Sequence, residues 1–172
     1  MNKYLIDTNI FIESAYRFYA FDICPGFWDF LSKCSQADSI KSISKVYDEI
    51  TSNNPNLQDF KERLKSGGFF LSIESINLES YAIISQTLKT MQYEKIAIDN
   101  FSSGADYFLV ALAYQESYTI VTHEAKKGNN AKNIIKIPNV CEQLGIDCID
   151  VAEFLRREQA RFVLENTTQQ ES

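Results

Sequence analysis

A chain of 172 residues, 45% of them hydrophobic, suits one domain with a sizeable core rather than two small ones. Six glycines and three prolines, with aromatic residues at 13%, exclude collagen-like and low-complexity sequences, and no internal repeat suggests a solenoid. A formal net charge of −6 is awkward for binding phosphate backbones, although carboxylates that hold divalent cations lower the formal charge without staying negative in the working protein.

No segment approaches the roughly 20 apolar residues that cross a bilayer. The opening MNKYLIDTNIFI is broken by Asp7 too early to form a signal-peptide core. A cytoplasmic protein with no membrane attachment is therefore expected, with one domain over residues 1–165 and a flexible tail over 166–172. Cys24, Cys34, Cys141 and Cys148 lack close CxxC pairs, so reduced thiols are expected rather than disulfides or a zinc site.

In chain order, Lys3 to Ile6 reads as a short buried strand, and Ile10, Phe11 and Ser14 open a helix directly after Asp7. Pro25 and Gly26 mark a turn before a helical face of Phe27, Trp28, Phe30 and Leu31. Alternation from Ser39 to Ile43 gives a second strand, followed by a helix over KVYDEI that Asn53, Asn54 and Pro55 stop. A helix is predicted from Leu57 to Leu64, ending at Gly67 and Gly68. FFLSI is then an extended piece before a helix near Leu78 to Met91.

From Ala105, the spacing of Phe108, Leu109, Leu112 and Ala113 is that of a helix packed on a sheet. Tyr118 to Thr122 is a β-rich strand, and IIKI and DCI are extended candidates on either side of a helical NVCEQLG. Val151 to Leu164 reads as a closing helix, and the polar ENTTQQES should fray. Strands that alternate with helices argue for an α/β fold, a three-layer α/β/α sandwich around a mostly parallel sheet.

In such a sheet, ligands bind beyond the carboxyl ends of the strands. That rule selects Asp7 after the first strand, Glu124 two residues beyond YTIVT, Asp106 in the first turn of the helix starting near Ser103, and Glu49 in the helix after the second strand. At 100° per residue, Glu49 lies about 60° from Val46 and can face inward. Two like charges about 4 Å apart repel by about 4 kcal/mol at an effective dielectric near 20. Such a gathering calls for a cation, and hard oxygen ligands favour Mg²⁺ or Mn²⁺. The chemistry that suits them is phosphodiester hydrolysis by a metal-activated water.

Structural explanations compete at each position. Asp7 is also a natural helix cap, Ser103 and Asp106 form a capping box, Glu49 is an ordinary helix carboxylate, and Glu124 a surface acid. Asp99 and Glu13 are reserve acids. His123, the one histidine, follows a buried strand, and metal-bound water needs no imidazole to be activated. Lys126, Lys127 and Lys132 form a candidate phosphate-contacting patch, whereas Arg156, Arg157 and Arg161 suit an exposed helix face. Tyr16, Phe18, Tyr19 and Phe21 suit core or partner contacts more than base stacking.

The ordered set of DTN at Asp7 to Asn9, an acid after the second strand, DYFLVALA from Asp106 and THE from Thr122 resembles the PIN domain, over roughly Tyr4 to Leu155. DICPGFWDFL and IPNVCEQLG further resemble an uncharacterised prokaryotic PIN-like subgroup. The resemblance implies a ribonuclease with a Mg²⁺ or Mn²⁺ site of Asp7, Glu49, Asp106 and Glu124, supported through hydrogen bonds by Thr8, Asn9 and Thr122. It also implies an RNA substrate, an antitoxin partner if the protein is the toxin of a toxin–antitoxin pair, and a possible homodimer. The family usually has Asp where this chain has Glu124, which leaves open whether one metal binds or two. The alternatives are a PIN-like module without catalysis that binds RNA or protein, and, more remotely, a doubly wound phosphotransfer domain.

Overall fold

The computed structural model describes residues 3–128 and 132–163. Five short parallel strands lie in the order β3-β2-β1-β4-β5: β1 (Tyr4–Ile6), β2 (Ile40–Ile43), β3 (Phe70–Leu71), β4 (Thr119–Val121) and β5 (Cys148–Ile149). The strand β1 sits centrally, with Tyr4 opposite Ile40 on one side and Thr119 on the other. All three of its residues are fully buried, because helices cover both faces of a parallel sheet. The α/β class and its three layers are thus as the alternation of elements predicts.

The helices of the first half are α1 (Thr8–Glu13), α2 (Pro25–Gln36), α3 (Ser44–Glu49) and α4 (Pro55–Ser66). They are followed by α5 (Leu78–Thr90), α6 (Lys95–Ser103), α7 (Ala105–Glu116), α8 (Ile137–Leu144) and α9 (Val151–Arg157). A π-helical turn over Ser14–Phe18 extends α1. The helix α7 buries Leu109, Val110, Ala111, Leu112 and Ala113, a nearly all-round apolar surface that marks a central packing element.

Several boundaries differ from the expected ones, each for a local reason. IIKI is not a strand: residues 134–136 are irregular and Ile137 opens α8, with Pro138 pre-set for the first turn of a helix. Asn54 caps α4 through its side chain, with Pro55 at the first helical position, so the Asn-Pro pair starts a helix, whereas α3 has already ended at Glu49. The Ser103–Asp106 capping box does not form. Ser103 ends α6 and donates instead to Asn100 O at 3.0 Å, while Gly104 precedes α7 with no side-chain cap. The helix α6, which buries Ala97 and Phe101, has no counterpart among the predicted elements.

The closing helix stops at Arg157 rather than reaching Leu164, a residue that, like the tail over 166–172, lies outside the described residues. Gln159 adopts a positive φ of 55°, which ends the helix and turns the chain so that Phe162 lies near Tyr19, Phe27 and Phe30. Among the described residues no helix is long and apolar enough to cross a membrane.

Candidate functional site

The strand order reverses between β1 and β4, whose carboxyl ends leave a crevice where helices diverge. Asp7 leaves β1 there, its backbone N–H still donating to Val121 O of β4 at 3.0 Å. It is 4% exposed, and both carboxylate oxygens are held: Thr8 N donates to Oδ1 and Thr122 Oγ to Oδ2, each at 2.6 Å. Asp7 therefore does cap α1, and the cap and the site share one side chain.

Thr122 extends this network. Having given its proton to Asp7, its oxygen accepts from Asn9 Nδ2 and from Glu124 N, each at 3.0 Å. Asn9 Oδ1 accepts in turn from His123 N at 2.9 Å. The strand-end segment over Thr122, His123 and Glu124 is thus tied to α1 by side chains, with Thr8 bonded to Asp7 and Glu49, and Asn9 to Thr122.

Glu49, at the end of α3, reaches into the same crevice. Its Oε2 accepts from Thr8 Oγ at 2.8 Å and its Oε1 from Ala105 N at 3.2 Å. It thereby satisfies one of the free N–H groups at the start of α7, a position that favours negative charge. Asp106, one residue into that helix, is half-buried. Glu124 is bound on both oxygens, by an ion pair with Lys136 and by the backbone N–H of Ile137 at 2.9 Å.

The four carboxylates sense one another. Asp7 is pushed up from the usual carboxylate range to about 7, first by burial and then by the charge of Asp106, with Glu124 adding to it and the Thr122 hydrogen bond opposing. Asp106 also rises to about 7, through burial, then Glu124 and Glu49, with Lys136 opposing. Two carboxyls in one crevice are therefore half-protonated near neutrality, an arrangement common at functional sites.

Among the described residues, no three acidic, histidine or cysteine side chains draw together closely enough to cage an ion. Asp7, Glu49 and Glu124 each engage protein donors through both oxygens, which leaves Asp106, among the described residues, as the acid of the four whose carboxylate accepts no hydrogen bond. The donor chemistry fits a hard cation of the Mg²⁺ kind, which needs only one or two carboxylates and completes its octahedron with water.

His123 stands beside these acids without serving them. Burial lowers its pKa, its Nε2 is buried without a hydrogen-bond partner, and its ring lies 5.0 Å from that of Phe18. Tyr19 and Phe21 stack on Phe27 and Trp28, as core contacts, while Tyr16 and Phe18 remain more than half exposed. The reserve acids separate: Asp99 pairs with Lys95 on the surface, and Glu13 lines the cleft of about 370 Å³ that contains Glu124.

Of the three lysines read as a phosphate patch, Lys126 pairs with Glu142, Lys132 lies over the Tyr93 ring, and Lys127 lines the cleft. Lys136 lines it too and was missed, because the sequence reads as an extended IIKI with no charge partner. Only the tertiary approach of Glu124 marks it out. Arg157 is bound to Asp147 and Glu153, and Arg156 lies 3.9 Å from Glu153.

The fold and site define an α/β protein with an acidic crevice at the switch point of a parallel sheet. The chain belongs to the family described as Domain of unknown function (DUF4411), which matches it over residues 4–162. No curated protein and no solved structure matches the chain.

Proposed function

We propose that this protein is a PIN-like endoribonuclease that hydrolyses RNA phosphodiester bonds with Mg²⁺ or Mn²⁺, acting as the toxin of a toxin–antitoxin pair in the cytoplasm. The observation that carries the reading is the pairing of Asp7 and Asp106, two carboxyls raised to about 7 in a crevice where Glu49 and Glu124 add further negative charge. A divalent cation offsets that repulsion and, when bound, supplies an acidified water and a Lewis acid for the phosphate.

The chain's own residues prepare the rest. Thr8 and Thr122 fix Asp7 in one orientation, and Glu49 is aimed by Thr8 and by the first turn of α7. Asp106 is fixed to the same turn. His123, lowered in pKa and with its Nε2 buried, takes no proton in this scheme. Lys127 supplies positive charge at the edge of the cleft for the substrate backbone.

The test is cleavage of single-stranded RNA by purified protein with added Mn²⁺. Loss of cleavage in Asp7→Asn is expected, and cleavage that survives this substitution refutes the assignment. A second reading, a PIN-like module that binds RNA or protein without catalysis, is favoured by one observation: the Lys136–Glu124 ion pair occupies the last acidic position. Calorimetry separates the two readings, since a catalytic site binds Mn²⁺ and a purely structural one neither binds it nor is stabilised by it.

A further inference from the structure

Among the described residues, Lys136 is the one cationic side chain that borders both halves of the acidic crevice. It lines the cleft around Asp106 and the adjoining cleft around Asn9, His123 and Lys127. Its ammonium pairs with Glu124, the Lys136 side chain being 25% exposed and that of Glu124 13%. Charges this sheltered are screened little by salt. The backbone holds the pair in place: Lys136 immediately precedes α8, and the next N–H, that of Ile137, donates to the other oxygen of Glu124. With Lys126 on Glu142 and Lys132 over Tyr93, the basic charge of the rim comes down to Lys127 and Lys136.

We propose that Lys136 is the principal phosphate-contacting residue of this crevice, its ammonium shared between Glu124 and a non-bridging oxygen of a nucleic-acid phosphodiester. The proposal rests on the metal-dependent reading of the site. Its signature is a pair of opposite effects: removing the ammonium eliminates a competitor for the acids, and it also removes a contact to the substrate backbone. A merely structural role for Lys136 would weaken both kinds of binding together.

The experiment compares the full chain with Lys136→Met. Calorimetry measures Mn²⁺ affinity. Fluorescence anisotropy at saturating Mn²⁺ measures binding of a short single-stranded RNA with phosphorothioate linkages. Mn²⁺ should bind several-fold more tightly to the variant. The RNA should bind about ten-fold more weakly, with a salt dependence shallower by about one counterion, and Lys136→Arg should restore RNA binding. Lys136→Gln, which keeps a polar group against Glu124, is read by the same criteria if the methionine variant folds poorly. If either change is missing or has the opposite sign while the wild type binds Mn²⁺, this proposal is overturned and the nuclease reading stands. If neither the wild type nor the variants bind Mn²⁺, both are overturned.

Discussion

Thr122 Oγ donates to Asp7 Oδ2 at 2.6 Å, joining residues 115 positions apart. The hydroxyl also receives Asn9 and Glu124 N, so one threonine orders the ends of both strands that flank the crevice. Thr122→Val keeps the shape and removes the hydroxyl, leaving three polar groups short of a partner at a site that is 1% exposed. A loss of about 1–3 kcal/mol is expected, read as a lower denaturation midpoint at unchanged slope. Thr122→Ser should recover most of it.

The raised carboxyls of Asp7 and Asp106 make a prediction about pH. Their folded-state pKa values, about 7, lie above the ordinary 3.8, so between these values the native state holds more protons than the unfolded chain. Stability contributed by these groups therefore falls as pH rises from about 4 to about 7, by up to about 1.4 kcal/mol per pH unit for each group. In the cation-free protein, Asp106→Asn should melt several degrees higher than the wild type at pH 8. The difference should vanish near pH 4, and an equal difference at both values would contradict the assigned pKa.

Glu49 is expected to act through orientation as much as charge, because it ties Thr8 to the first turn of α7. Glu49→Gln keeps the size and gives up the full charge. A ten- to hundred-fold fall in Mn²⁺ affinity, of the order seen when groups that orient a metal site are changed, is the outcome to look for by calorimetry. An unchanged affinity would place Glu49 outside the site.

Phe154 of α9 is fully buried and packs edge-on against Tyr4 of the central strand, with ring centroids 4.8 Å apart. Phe154→Ala should cost about 3–5 kcal/mol, measured by urea unfolding. The loss should leave the Asp7 network intact, since Phe154 packs on Tyr4, at the end of β1 away from Asp7.

The sequence made the frame of the fold legible where period and composition agreed. The runs at Tyr4 to Ile6 and Thr119 to Val121 are short and rich in aromatic, aliphatic or β-branched residues, and both are strands. It misled where one residue has two local uses. Asn54 and Pro55 read as a helix stop but cap and open α4, and Ser103 bonds within α6 in place of capping α7. The candidate site was legible to a similar depth: Asp7, Glu49, Asp106 and Glu124 do come to one crevice, because the strand-end rule depends only on topology. Which protein donors each acid holds was not legible, since Ala105 N, Ile137 N and Lys136 reach the acids only through folding.

The central position of β1 has a consequence for the order in which the protein is made. The strand β1 precedes both of its neighbours in the chain, and the second of them, β4, begins only at Thr119. Until then Tyr4, Leu5 and Ile6 present an unsatisfied edge, and Asp7 lacks the hydroxyl that steadies it. The acidic crevice cannot close around its supporting bonds before synthesis has passed Thr122, so a growing chain that stops short of that residue carries no assembled site.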